Sequence, residues 1–207
     1  MGLTMGVLSS ERREALAAAA EQEVDALTAR GARVAGNIFS PVVLVKGELN
    51  EAERAGGLLL AGADGEALRS ALLAIGWAPE DFCALASVAG AAESAAEPSV
   101  EPGIEPAAPS GAPLPAALFR EALEALDPEA VILLDDAAAD AMRNAYADAL
   151  AIIEDWNTAM LKPGLVARVL GRRVLALDGF ETALADSKEK QRMWAYLKQM
   201  PPLGAPY

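Results

Sequence analysis

The spacing of apolar residues changes period several times along the chain. From Ser9 to Arg30, Leu16, Ala20, Val24 and Leu27 recur at helical intervals in an alanine-rich, charge-flanked run, which predicts an amphipathic helix over 9–30. Ser9 or Ser10 is its expected N-cap, and Gly31 suits its C-terminal cap. After Pro41 the helical period disappears. Val42 to Val45 is a short, β-branched apolar run, the pattern of a strand buried on both faces. Asp64 to Ile75 is helical again, with Leu68, Leu72 and Ile75 inward, and Phe82 to Val88 is a second apolar strand. Gly90 to Pro113 breaks the pattern with five prolines, four glutamates and no basic residue, the composition of a flexible acidic loop. Beyond it, Pro115–Leu126 reads as helix, Val131–Leu134 as a third strand and Asp135–Leu150 as helix. Val174–Leu177 reads as a fourth strand, and Lys188–Met200 as a last helix with Trp194 and Leu197 on one face.

Strand and helix alternate throughout. That order predicts an α/β fold: a three-layer α/β/α sandwich around a mainly parallel, four-stranded sheet with right-handed crossovers, in one domain over 1–207. Ligands of such sheets bind beyond the C-terminal strand ends. The ends here are Lys46 to Asn50, Ala86 to Ser87, Asp135 to Asp136 and Asp178 to Phe180, so four loops are expected to meet at one crevice.

Composition narrows the chemistry. The chain contains no histidine and one cysteine, Cys83, so the commonest general base is missing and a site built from several thiolates of one chain is excluded. Cys83 is expected as a buried core thiol. The net charge of -13 opposes a polyanionic partner. From Lys162 to Lys198 eight basic residues meet four acidic ones, so that segment is +4 and the remainder -17. A solvated helix face accounts for those basic residues, with a phosphate-binding patch as the other reading. There is no apolar run of about 18 residues and no charged-then-apolar leader, so no membrane association is expected and the chain is expected in the cytoplasm.

The segments "GNIFSPVVLVKGE", "GGLLLAGADGEALRSALLAIGWAPED", "LFREALEALDPEAVILLDDAAADAM" and "KEKQRMWAYL", in that order, resemble the uracil-DNA glycosylase superfamily, most closely its small bacterial iron–sulfur branch. "GNIFSPVVLVKGE" is similar to the entry of the family's first motif. "GGLLLAGADGEALRSALLAIGWAPED" resembles the segment that usually reads Gly-Arg-Pro-Phe-Val-Gly and runs into a helix. "LFREALEALDPEAVILLDDAAADAM" resembles the helix and strand ending in Leu-Gly-Arg, and "KEKQRMWAYL" the Lys-and-Trp helix after the catalytic histidine loop.

The resemblance implies a fold but not the activity. It places the family's stacking phenylalanine at Leu60, its uracil-reading asparagine at Ala86 or Ser87, and its anion-stabilising histidine and following proline at Gly179 and Phe180. The third-strand Gly-Arg becomes Asp135-Asp136, two carboxylates where DNA phosphate would lie. The branch's four cluster cysteines are reduced to Cys83, so no iron–sulfur cofactor is expected. What persists is Gly47-Glu48, whose carboxylate matches a water-activating position. Glu48 otherwise reads as a solvated or helix-capping acid. Asp178, beside the missing histidine, could stabilise an oxyanion only if protonated by burial.

The expectation is therefore a non-catalytic, degenerate member that acts as a binding or scaffold domain, with an unidentified protein partner and weak or absent DNA binding. The alternative is a divergent DNA glycosylase acting on an altered base through Glu48, with Arg168 to Lys198 holding the strand. A third reading makes Glu48, Asp135 and Asp136 a divalent-metal site in an unrelated small-molecule enzyme, against which the acid pair reads as a helix cap.

Overall fold

The computed structural model describes residues 3–78, 82–90 and 111–204, with side chains from residue 12 onward. Strands β1 (Val34–Gly36), β2 (Val42–Lys46), β3 (Cys83–Ala86), β4 (Ala130–Leu133), β5 (Val166–Val169) and β6 (Arg172–Ala176) form one sheet in the order β1-β3-β2-β4-β6-β5. The inner four are parallel, and β1 and β5 flank them antiparallel. The expected α/β class holds, but the four-stranded sheet is corrected to six. The four anticipated strands form the parallel centre. The two additions escape a reading by apolar runs because β1 is three residues ending in glycine and β5 carries the exposed Arg168.

The centre is apolar on both faces because each parallel strand is covered twice. Val43, Val45, Val131 and Leu133 point into one cluster. Helices α1 (Leu3–Ala29), α4 (Ala116–Leu126) and α5 (Asp136–Ala145) fill it with Val24, Leu27, Phe119, Leu123 and Met142. Val42, Leu44 and Ile132 point into the other, against Leu68 and Leu72 of α3 (Ala63–Ala74), Phe180 of α8 (Phe180–Ala183), and Met193 and Leu197 of α9 (Ser187–Leu197). Helices thus cover both faces, and Cys83 is buried between sheet and helices as a free thiol.

Several boundaries differ from expectation. The first helix begins at Leu3, so Ser9 and Ser10 lie inside it rather than capping it. The expected helix over 135–150 divides at Tyr146 into α5 and α6 (Ala147–Leu150), because Tyr146 leaves helical geometry at φ -121° and its ring is buried in the core. In α9 the buried face is Met193 and Leu197 rather than Trp194 and Leu197. Of the acidic stretch 90–113, residues 91–110 lie outside the described residues. The chain on either side is tied together by a bridge between Val88 and Pro113 and by bonds from Ala89 N–H to Ala112 and from Gly111 N–H to Ala89. Among the described residues no helix is long and apolar enough to cross a membrane.

Candidate functional site

The C-terminal ends of β2, β4 and β6 open onto a crevice of about 580 Å3. Gly47, Glu48, Asp135, Gly179 and Phe180 line it, as the strand-end argument expects. Leu60, Ala86, Ser87 and Asp136 do not. Leu60 is fully buried among Leu59, Leu68 and Leu72 in the core cluster over α3. Ala86 is buried in the same cluster. Ser87 is buried against the Gly47 backbone, its hydroxyl without a hydrogen-bond partner among the described residues. Asp136 is exposed and borders a separate hollow of about 240 Å3 beside Asp140 and Arg143. Asp178 is half exposed and pairs with Arg192 at 3.0 Å, outside the crevice lining.

Two buried networks shape the crevice. The first is centred on Asp135, the N-cap of α5. Its carboxylate accepts from Ala138 N–H at 2.8 Å, from Gly47 N–H at 2.9 Å and from Glu48 N–H at 3.0 Å. One side chain thereby ties the end of β2 to the first turn of α5. Gly47 has no room for a side chain: a Cβ there would meet Ala137 Cβ at 2.5 Å and Ser87 Oγ at 2.6 Å. The expectation that Asp135 and Asp136 face a phosphate together gives way to this arrangement, since the backbone of a helix start sends the capping carboxylate inward and its successor outward.

The second network is centred on Lys46, which residue-type arguments did not single out. The last residue of β2, it is only 2% exposed. Its ammonium lies 2.6 Å from Asp64, 2.7 Å from Glu181 and 2.8 Å from Glu53. Burial alone would push this ammonium down, but hydrogen bonds to Asp64, Glu181 and Glu53 outweigh it and hold the group above its ordinary value. Glu53, itself buried, also accepts from Asn50 N–H at 2.9 Å and Leu60 N–H at 2.8 Å, while Asn50 accepts from Glu53 N–H. That reciprocal pair is a capping box on α2 (Glu51–Arg54). It explains why a glycine-bounded loop carries leucines. Leu60 sits in left-handed geometry at φ 54°, its N–H held by Glu53 and its side chain in the core. A Cβ on Gly65 would fall on the Leu60 carbonyl, so the glycine serves close backbone packing.

Lys46, Asn50, Arg54, Asp64, Glu181 and Thr182 complete the polar lining, with Leu49, Val88 and Leu134 as apolar wall. A lysine ending an otherwise apolar strand, and the Asn50-x-x-Glu53 spacing, were the available signals. Glu48 is exposed at the rim, and its carboxylate has no partner among the described residues. No group of three or more His, Cys, Asp or Glu side chains among the described residues is arranged to hold a metal ion. Both Asp135 oxygens already accept amide hydrogens, and Asp136 faces elsewhere, so the three acids of the metal reading do not converge. Comparison with protein-family models and with curated proteins finds no match to this chain.

Proposed function

We propose that the chain is a degenerate uracil-DNA glycosylase-like protein that works as a binding or scaffold domain and excises no base. The observation that carries this reading is the fate of the positions matched to the family's ring and amide. Leu60 and Ala86 are packed into the core and Ser87 is buried against Gly47, so none of them offers a base a stacking face or a hydrogen-bonding edge. Gly179, at the position matched to the histidine, has no side chain to steady a departing anion. The strand-tip polar groups are spent on one another: Lys46 on three carboxylates, Asp135 on three backbone amides. A parallel centre with helices on both faces is compatible with the family's fold, though fold alone carries no activity. The test is release of uracil from single- and double-stranded DNA. None is expected, and release that disappears in Glu48→Gln would overturn the reading.

A second reading, the divergent glycosylase, draws on Glu48. Its carboxylate stands unpartnered at the rim of a crevice that also contains the Asn50 amide and the Phe180 ring. Against it, Asn50 spends its carbonyl on Glu53 N–H, and Phe180 is 4% exposed. Release of a damaged base rather than uracil, lost in Glu48→Gln, would favour this reading over the first.

A further inference from the structure

Resting on the reading of the crevice as a binding site without excision chemistry, we propose that it takes a small organic cation, an amine or guanidinium carried on an apolar body. Two independent features of the cavity lead there. The first is charge. Glu48, Asp64, Asp135 and Glu181 line the crevice and Glu53 stands behind Lys46, whereas the cations are Lys46 and Arg54. Five carboxylates against two cations leave three negative charges in excess. Lys46 is not offered to an anion, because three carboxylates already enclose it. Asp64 is buried against Lys46, whereas the half-exposed Glu181 uses one oxygen on Lys46 and Glu48 uses neither, which leaves these two carboxylates to face an incoming group. A concave, partly apolar site concentrates such a field and raises the local concentration of the opposite charge.

The second feature is the wall. Leu49, Val88, Leu134 and Phe180 border the same space, and its volume of about 580 Å3 is that of a small-molecule site. A hydrated metal ion gains nothing from an apolar wall, and the three carboxylates that do converge already enclose the Lys46 ammonium. An organic cation uses both halves: its charged end meets Glu48 and Glu181, and its body covers the half-buried Leu49 and Val88.

The experiment is a nitrogen-15 NMR titration of the full chain at low ionic strength with 2-phenylethylamine, with 2-phenylethanol and phenylacetate as neutral and anionic matches and uracil as a fourth arm. The amine should shift the amides of Gly47, Glu48, Gly179 and Phe180, and its affinity should fall as salt is added. The alcohol should bind more weakly and phenylacetate not at all. Glu48→Gln, an exposed substitution, should weaken the amine about twofold to fivefold and leave the alcohol unchanged. An amine that moves no crevice amide, or binds no better than the alcohol or the acid, overturns the proposal. Uracil moving those amides more than the amine would likewise overturn it, whereas the parent reading fails only on release of uracil from DNA, so the two failures are told apart.

Discussion

Lys46 carries more electrostatic weight than any other residue of the crevice. It holds two nearly fully buried carboxylates, Glu53 and Asp64, and one half-exposed one, Glu181. Removing a single partner from a buried ionic group is costly because the others keep their charge without compensation. Lys46→Met should therefore lower stability by about 3–5 kcal/mol, read as a fall in the urea midpoint. Replacing Glu181, already half in water, by Gln should cost about 1 kcal/mol or less. The same residue contributes to an alkaline limit. Its folded pKa lies above the ordinary value because the carboxylate hydrogen bonds outweigh burial, so its stabilisation is complete below the ordinary lysine value and fades above it. Burial pushes the Cys83 thiol up from 9.0 to about 12 and the Tyr146 phenol up from 10.0 to about 12. For both, the unfolded chain releases its proton first, so stability is full below pH 9 and falls as pH rises toward 12. Urea titrations between neutrality and that limit should show a falling midpoint, with the earliest part of the fall missing in Cys83→Ala; a flat profile would contradict the assignment. Gly47, Glu48, Asp135, Gly179 and Phe180 were legible because each sits at the end of an apolar strand. The Lys46 cluster was not, since beside the nearby Glu53 its partners Asp64 and Glu181 lie 18 and 135 positions away in sequence and only the folded sheet brings them together.

The link between β2 and α5 runs through Asp135. Because the carboxylate caps the helix and also receives the Gly47 and Glu48 amides, its removal acts on two elements at once. Asp135→Ala should cost about 1 kcal/mol for the cap and about 1–3 kcal/mol more for the amides it strands. Asp135→Asn, which keeps a capping oxygen but not a second acceptor of equal strength, should fall between wild type and Ala in a thermal melt. Gly47→Ala tests the same link from the other side. Its Cβ would press on Ala137 and Ser87, forcing β2 away from α5 at about 1–3 kcal/mol. If Gly47→Ala melts with wild type, the close approach is not a constraint. At this scale the central strands were readable because each is a run of apolar residues bounded by Pro, Gly or Asp. The edge strands were not: β1 is too short to show a period, and β5 alternates half-buried Val166, buried Ala167, exposed Arg168 and buried Val169, a pattern that four residues share with many loops. The break after α5 was hidden for a related reason, because Tyr146 fits the helical apolar spacing and its ring is buried beneath Arg120, while its backbone leaves helical geometry.

Charge organises the whole molecule, and the two readings of function differ in what they require of it. The excess of acidic over basic residues was visible in composition, as was the basic segment from Lys162 to Lys198. What composition concealed is how much of that segment is already neutralised. Arg172 pairs with Asp127, Arg173 with Glu129, and Arg192 with both Asp178 and Glu189. Lys162 lies over the Trp156 ring and Lys198 over Trp194, contacts that leave both charges in place. The exposed cations of the segment with no carboxylate partner among the described residues, Lys162, Arg168, Lys188, Lys190 and Lys198, are divided among a loop, a sheet edge and α9 with its C-terminal end, while the crevice itself holds an excess of carboxylates. A DNA strand gains affinity by replacing condensed counterions with protein cations, one for each phosphate neutralised. A strand reaching this crevice would meet repulsion at the mouth and few unpaired cations beside it. In a gel-shift assay at low salt, neither single- nor double-stranded DNA should form a complex, and adding salt should change nothing. The divergent glycosylase requires the opposite, a complex that weakens steeply as salt rises, with the slope reduced in Lys188→Gln and Lys190→Gln. A salt-sensitive complex of that kind would return the basic segment to function and displace the binding-domain reading.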